Sequence, residues 1–241
     1  MPERFTVGKS APIEGLCRRV REIMVGAGFQ ECLSPVLNSR DALVRRMGLE
    51  HVADDELVEI DNVMSELYSV MRRSLLPSIL NVEALSSKAA YPHSIFEVGE
   101  VALVEKAAGL EPATSGAEGA NNTVGAPGDA PHAADVLRTA TYVNAVACLA
   151  HPKASFSELH SCLEALFFYL GVKYELKPTS HPSFLEGRAG DVVAVIRGER
   201  RSVGLIGEVH PEVLERWGIT MPVAAFELSL SKLIQGQTEP A

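Results

Sequence analysis

The chain of 241 residues carries 22 Lys and Arg against 31 Asp and Glu, a formal net charge of −9, with 46% hydrophobic and 22% charged residues. That balance is ordinary for a globular protein with a sizeable core, and it excludes a chain that grips nucleic acid unaided, because phosphate contacts need a positive surface. No apolar run approaches the ~20 residues of a membrane span, and MPERFTVGKS lacks the apolar stretch of a signal peptide, so a cytoplasmic chain without membrane contact is expected.

The four cysteines, Cys17, Cys32, Cys148 and Cys162, stand far apart without ligand spacing. They read as small half-buried hydrophobes in a reducing compartment, and no metal site is expected.

Ser10 is placed to cap, and Pro12 to open, a helix with apolar residues Ile13, Leu16, Cys17, Val20, Ile23 and Met24 at helical spacing. Arg18, Arg19, Arg21 and Glu22 take the other side, a solvated or subunit-facing surface more often than an RNA contact; Gly26 and Gly28 end the helix. Phe29 to Leu37 predicts a strand, and Pro35 inside it marks an edge or an interface because proline donates nothing to a ladder. Arg40 to Met47 predicts a short helix, and the acidic run from Asp54 to Asp61 has no EF-hand pattern and reads as a solvated loop. Met71 to Leu80 predicts a turn running into a helix. Ile95 to Val104 predicts a strand whose Glu97 and Glu100 do not share a face, which gives little support to a paired-carboxylate site.

From about 106 to 132 the composition shifts to Ala, Gly, Pro, Ser, Thr and Asn, which cannot offset ordering entropy. A flexible surface loop within one domain spanning 1–241 is expected there. Thr139 to Ala150 predicts a strand, and Phe156, Leu159, Leu163, Leu166, Phe167 and Leu170 mark an amphipathic helix ended by Gly171. Phe167, Phe168 and Tyr169 read as a core cluster. Val172 to Leu176 predicts a strand, His181, Pro182, Gly187 and Arg188 a loop, and Asp191–Ile196 with Ser202–Val209 a hairpin around Arg197-Gly198-Glu199-Arg200. A lone histidine such as His181 is more often structural than catalytic. Val203 to Leu230 reads as strand, short helix, strand, with His210 as cap, Pro211 in the first turn and Gly218 at the end. The sum is an α+β fold, an antiparallel sheet of about six strands flanked by helices.

Three passages together carry a resemblance. They are RVREIMVGAGFQECLSPVLNS, RRSLLPSILN followed by IFEVGEV, and HPSFLEGR followed by GLIGEVHPEVLERWGITMPVAAFEL. In this order, from about Phe5 to Leu233, they resemble the C-terminal, catalytic-like domain of the phenylalanyl-tRNA synthetase β subunit in its archaeal style. The resemblance implies a class II aminoacyl-tRNA synthetase fold. Gly28, Phe29, Cys32, Pro35, Val36 and Leu37 fill motif 1, which in that fold builds the subunit interface. The implied interface face is Ile13, Leu16, Val20, Ile23, Phe29 and Pro35, toward a catalytic α subunit or in a dimer.

In motif 2, IFEVGEVALVE places Glu100 and Leu103 where ATP-binding arginines would stand and keeps only Glu105. In motif 3, Glu227 and Ser229 replace glycines and Lys232 replaces an arginine. An acid and a leucine cannot stabilise charge developing on a phosphate, and lysine is a poorer planar clamp. The resemblance therefore implies no catalytic residue and no cofactor on this chain. ATP and magnesium would be used by a heterotetrameric holoenzyme that charges tRNA with phenylalanine, and tRNA would be met through that complex. The family's editing domains and magnesium carboxylates lie outside the matched passages. The rival expectation is a free-standing class II-like paralogue that binds a small molecule, with Glu97, His181, Arg188 and Lys232 reaching into the old pocket.

Overall fold

The computed structural model describes residues 8–50, 52–53, 56–63, 65–106 and 137–234. The loop expected at 106–132 therefore lies outside the described residues, apart from Lys106, as do Asp54 and Asp55 of the acidic run.

Seven strands form the main sheet: β1 (Gln30–Glu31), β4 (His93–Lys106), β5 (Leu137–Ala150), β6 (Lys173–Pro178), β7 (Phe184–Ile196), β8 (Glu199–Val209) and β9 (Val223–Ser229). Their spatial order is β1-β4-β5-β9-β8-β7-β6. β1 runs parallel to β4 and every other pairing is antiparallel, so the sheet is mixed and one strand larger than expected. The strand predicted over Phe29–Leu37 is split between two sheets. Only Gln30 and Glu31 pair with β4, while β2 (Leu37–Asn38) joins β3 (Val70–Met71) in a separate two-stranded ladder. Pro35, with no N–H to give either ladder, sits between the two pieces.

Helices α1 (Pro12–Gly26), α4 (Phe156–Leu170) and α6 (Leu230–Ile234) cover one sheet face, over a core that includes Val20, Met24, Phe96, Leu163, Phe167 and Phe226. On the other face α2 (Arg40–Leu43), α3 (Leu76–Leu85) and α5 (Pro211–Trp217) enclose a second core with Ile79, Leu80, Val146, Cys148, Phe184 and Trp217. Alternation along β4 assigns Phe96 and Val98 to the first core and Glu97, Gly99 and Val101 to the second face.

The ends of α5 follow the sequence. His210 Nδ1 accepts from the Glu212 N–H at 3.2 Å, Pro211 occupies the first turn, and Gly218 closes the helix at φ +71°. Other expectations are corrected. Ala11, not Ser10, precedes α1 and gives no side-chain cap. Gly187 and Arg188 are not in a loop but inside β7, where a register shift between Phe184 and Ala189 absorbs the extra residues as a bulge. The β7–β8 turn is two residues long, Arg197 and Gly198, both at positive φ (52° and 84°), the twist that a tight hairpin prefers. Of the three aromatics at the end of α4 only Phe167 is core; Phe168 and Tyr169 are 77% and 59% exposed, because successive helical residues point about 100° apart.

Candidate functional site

Beneath α3 the second sheet face carries a polar row. Glu97 pairs across the ladder with Val146, and Val146 with Glu227, so the two carboxylates lie on one face of three adjacent strands. Glu97 is 1% exposed, and Nη1 of Arg72, itself 2% exposed, donates to it at 2.8 Å. The Ser34 hydroxyl donates to the same carboxylate at 2.5 Å and accepts from Arg72 Nη1 at 2.8 Å. Arg72 Nε donates to the Glu100 carbonyl at 2.8 Å. The guanidinium lies over Gly99, where any Cβ would collide with Nη2. A charge buried this deeply is tolerated only when it is paired and hydrogen-bonded, and here it is.

Glu227 is the second anchor. Its carboxylate accepts from the Ser74 hydroxyl at 2.5 Å, from the N–H groups of Leu75 and Leu76 at 2.9 and 3.0 Å, and from Asn144 Nδ2 at 2.7 Å. It thereby satisfies the first donors of α3 and supplies negative charge where the helix dipole favours it. Each cation and each strong donor along this row is bound to a carboxylate of the chain itself.

The sequence-expected residues do not converge on one pocket. Glu97 is spent on Arg72. His181 lines a cleft of about 300 Å3 with Leu43, Met47, Arg73, Leu76 and others, and neither Glu97, Arg188 nor Lys232 lines it. His181 Nδ1 accepts from the Ser183 N–H at 3.2 Å, and burial pulls the imidazole below its ordinary value. Arg188 Nη1 pairs at 3.0 Å with Glu208, which also accepts from the Phe156 N–H at 2.9 Å. Lys232 is exposed on α6. Of the replaced arginine positions, Glu100 is exposed and Leu103 is half-buried in the outer part of the β4–β5 ribbon.

The expected interface residues also divide. Val20 and Phe29 are 0% and 5% exposed and belong to the chain's own core. Ile13, Leu16 and Ile23 pack half-buried against that core, and Pro35 is exposed. Apolar surface that helical periodicity did not single out lies nearby. Val25 is 58% exposed on α1, Phe168 and Tyr169 are exposed at the end of α4, and a cleft of about 370 Å3 between the two helices is lined by Ile23, Gly26, Ala27, Ala165 and Tyr169. Leu33, next to Pro35, is 81% exposed.

Arg72, Ser34 and Asn144 were missed by pattern. The available signal was Glu97 itself, an inward-facing acid in an apolar strand that demands a cation. All four cysteines are free thiols, and burial pushes each upward, Cys32 to about 11 with help from Glu97 and Glu31. Among the described residues no group of three or more His, Cys, Asp or Glu is placed to hold a metal ion, and no helix is long and apolar enough to cross a membrane.

Comparison with known proteins places these features. Residues 1–230 match the family model described as the phenylalanyl tRNA synthetase beta chain CLM domain. A phenylalanine–tRNA ligase β subunit of Thermococcus sibiricus is 32% identical over 235 residues, covering 98% of this chain and 36% of the relative. That of Thermococcus kodakarensis is 36% identical over 233 residues (92% and 35%), and that of Borrelia hermsii 31% over 234 residues (97% and 36%). The chain thus spans about a third of the length of the curated relatives it matches. The match is to a CLM domain and does not itself fix the C-terminal, class II placement drawn from the motifs. With residues 1–230 of its 241 aligned, the chain belongs to the phenylalanyl-tRNA synthetase β chain CLM domain family.

Proposed function

We propose that the chain is a non-catalytic, class II-like domain of a phenylalanine–tRNA ligase β subunit. It supports a catalytic α subunit that joins phenylalanine to its tRNA at the expense of ATP, within a cytoplasmic heterotetramer, and it meets tRNA only through that complex. ATP and magnesium act on the α subunit. The observation that carries the reading is the internally neutralised row under α3: Arg72 is held by Glu97, and the α3 N-terminus by Glu227. A face whose cation and donors are already saturated offers nothing to a triphosphate. Glu100, Leu103 and Lys232 at the expected arginine positions support the same reading.

The docking face is the seam of α1 with the end of α4, Ile13, Leu16, Ile23, Phe168 and Tyr169, with Leu33 and Pro35 exposed on the segment after β1 as a second contact. Burying each large side chain contributes roughly 1.5–3 kcal/mol before association costs. The test mixes the purified chain with the matching α subunit and follows mass by light scattering. A stoichiometric complex is expected, weakened by Phe168→Glu with Tyr169→Glu at unchanged melting temperature. A homodimer that ignores the α subunit, or pyrophosphate exchange by the chain alone, overturns the reading in favour of a free-standing paralogue.

A further inference from the structure

We propose that the cleft walled by α2, α3 and α5 binds a small monocarboxylic acid with an apolar body, its carboxylate held by Trp217 Nε1, the Ser78 hydroxyl and Arg46. The proposal goes beyond the subunit reading and does not rest on it. The cleft adjoins the Glu97 row only at Ser34, whose hydroxyl is already engaged there.

Two orphaned groups mark the site. Among the described residues four buried side-chain polar atoms have no hydrogen-bond partner, and two of them, Ser78 Oγ and Trp217 Nε1, belong to residues lining this one cleft of about 250 Å3. Ser78 is 3% exposed and Trp217 6%, so neither is satisfied by bulk solvent. They come from different helices, α3 and α5, and they do not bond each other. An unmet buried donor is costly, so two beside one cavity point to something that enters it. An indole N–H only donates and a hydroxyl can do the same, so the missing group is an acceptor with more than one oxygen, which a carboxylate is. At about 30 Å3 per water the space exceeds what one bridging water fills.

The charge has the matching sign. Arg46 lines the cleft, and its guanidinium carbon lies 5.1 Å from the centre of the Trp217 ring. Its Nε donates to Asp41 at 2.9 Å, but Asp41 is shared with Arg45, so two guanidinium groups face one carboxylate and a positive charge is left over. Among the described residues no Asp or Glu lines the cleft, so an ammonium would find no counter-charge. Leu37, Leu67 and Pro35 supply an apolar wall for the body of the acid. The volume lies below the usual range for drug-sized ligands, which limits the acid to about ten non-hydrogen atoms.

Trp217 is the one tryptophan of the chain, so its emission reports on the cleft directly. The full chain, without α subunit, is titrated with benzoate at ionic strength matched with sodium chloride, and benzylamine serves as the cationic counterpart. A saturable change in emission with a Kd of about 1 mM or tighter is expected for benzoate and none for benzylamine. Ser78→Ala removes a hydroxyl with no partner in the chain, so it is expected to keep the wild-type melting temperature and to bind benzoate about tenfold more weakly. Arg46→Gln is expected to weaken binding and to flatten its salt dependence, read by calorimetry because the change also alters the surroundings of Trp217. No saturable signal at millimolar benzoate, equal binding of benzylamine, or a folded Ser78→Ala that binds like wild type overturns the proposal.

Discussion

Replacing Arg72 by Met should be among the most damaging single changes in this chain, and the structure says why. The guanidinium is 2% exposed and its Glu97 partner 1%, so neither group is solvated if the other is removed. In Arg72→Met the Glu97 carboxylate keeps only the Ser34 hydroxyl, and the Glu100 carbonyl loses its 2.8 Å donor. Breaking a buried ion pair on one side costs roughly 3–5 kcal/mol, because an uncompensated charge stays behind. Removing both charges is a different matter, since well-packed apolar residues often replace a buried pair at little loss. Arg72→Met combined with Glu97→Leu should therefore recover most of what the single variant loses.

Urea unfolding followed by tryptophan emission is the assay. The chain has one Trp, Trp217, 6% exposed in the core on the same sheet face as the pair. The expected result is a lowered midpoint for Arg72→Met at unchanged slope, and a midpoint for the double variant near wild type. A single variant that costs less than about 1 kcal/mol, or a double variant as unstable as the single one, refutes the argument that the pair carries uncompensated desolvation.

Two further outcomes follow from local geometry. Gly204→Ala puts a Cβ onto the Glu227 carbonyl of β9, with Leu228 Cα only 2.9 Å away, so backbone must move; a loss of about 3 kcal/mol or more is expected, and a wild-type melting curve would contradict the close approach. Burial lowers the His181 imidazole, so below its ordinary pKa the unfolded chain takes up a proton that the native ring refuses, and stability falls with falling pH until the native ring also protonates; His181→Gln should flatten that acid-side slope and leave stability above neutrality unaltered in its pH dependence, whereas an unchanged acid slope argues against a depressed His181.

What was legible in the sequence was what neighbours decide. The α5 cap, its proline and its closing glycine lie within nine residues, and each acts on the backbone beside it. The long strands β4 and β5 announced themselves by composition. Long-range choices were not legible. Pro35 signalled an edge, but the ladder that Leu37 joins is set by Met71, far along the chain. Helical spacing found the apolar stripe of α1 yet could not separate Val20, fully buried, from Leu16 beside it, because a stripe that faces a core and one that faces a partner have the same period. Gly187 and Arg188 carried a loop composition that β7 absorbs as a bulge. Arg72 had no local pattern at all; only the inward-facing Glu97 implied it.

The buried row and the exposed edge are one mechanical unit. From Cys32 to Val36 alternate residues are tied inward: the Cys32 N–H donates to the Phe96 carbonyl at 2.8 Å, Ser34 is held by Glu97 and Arg72, and the Val36 carbonyl accepts from the Arg72 N–H at 2.9 Å. With period-two geometry, pinning 32, 34 and 36 turns Leu33 and Pro35 outward, which is where they lie. An apolar side chain 81% exposed on a short edge segment would be a liability if that segment were free to slip, because a slip of one residue exchanges its inner and outer sets. Arg72, which follows β3 and lies over Gly99 of β4, prevents the slip by holding Ser34, so the buried pair also fixes the register of this exposed edge. Holding the register of this edge is a structural reason to keep a costly buried ion pair.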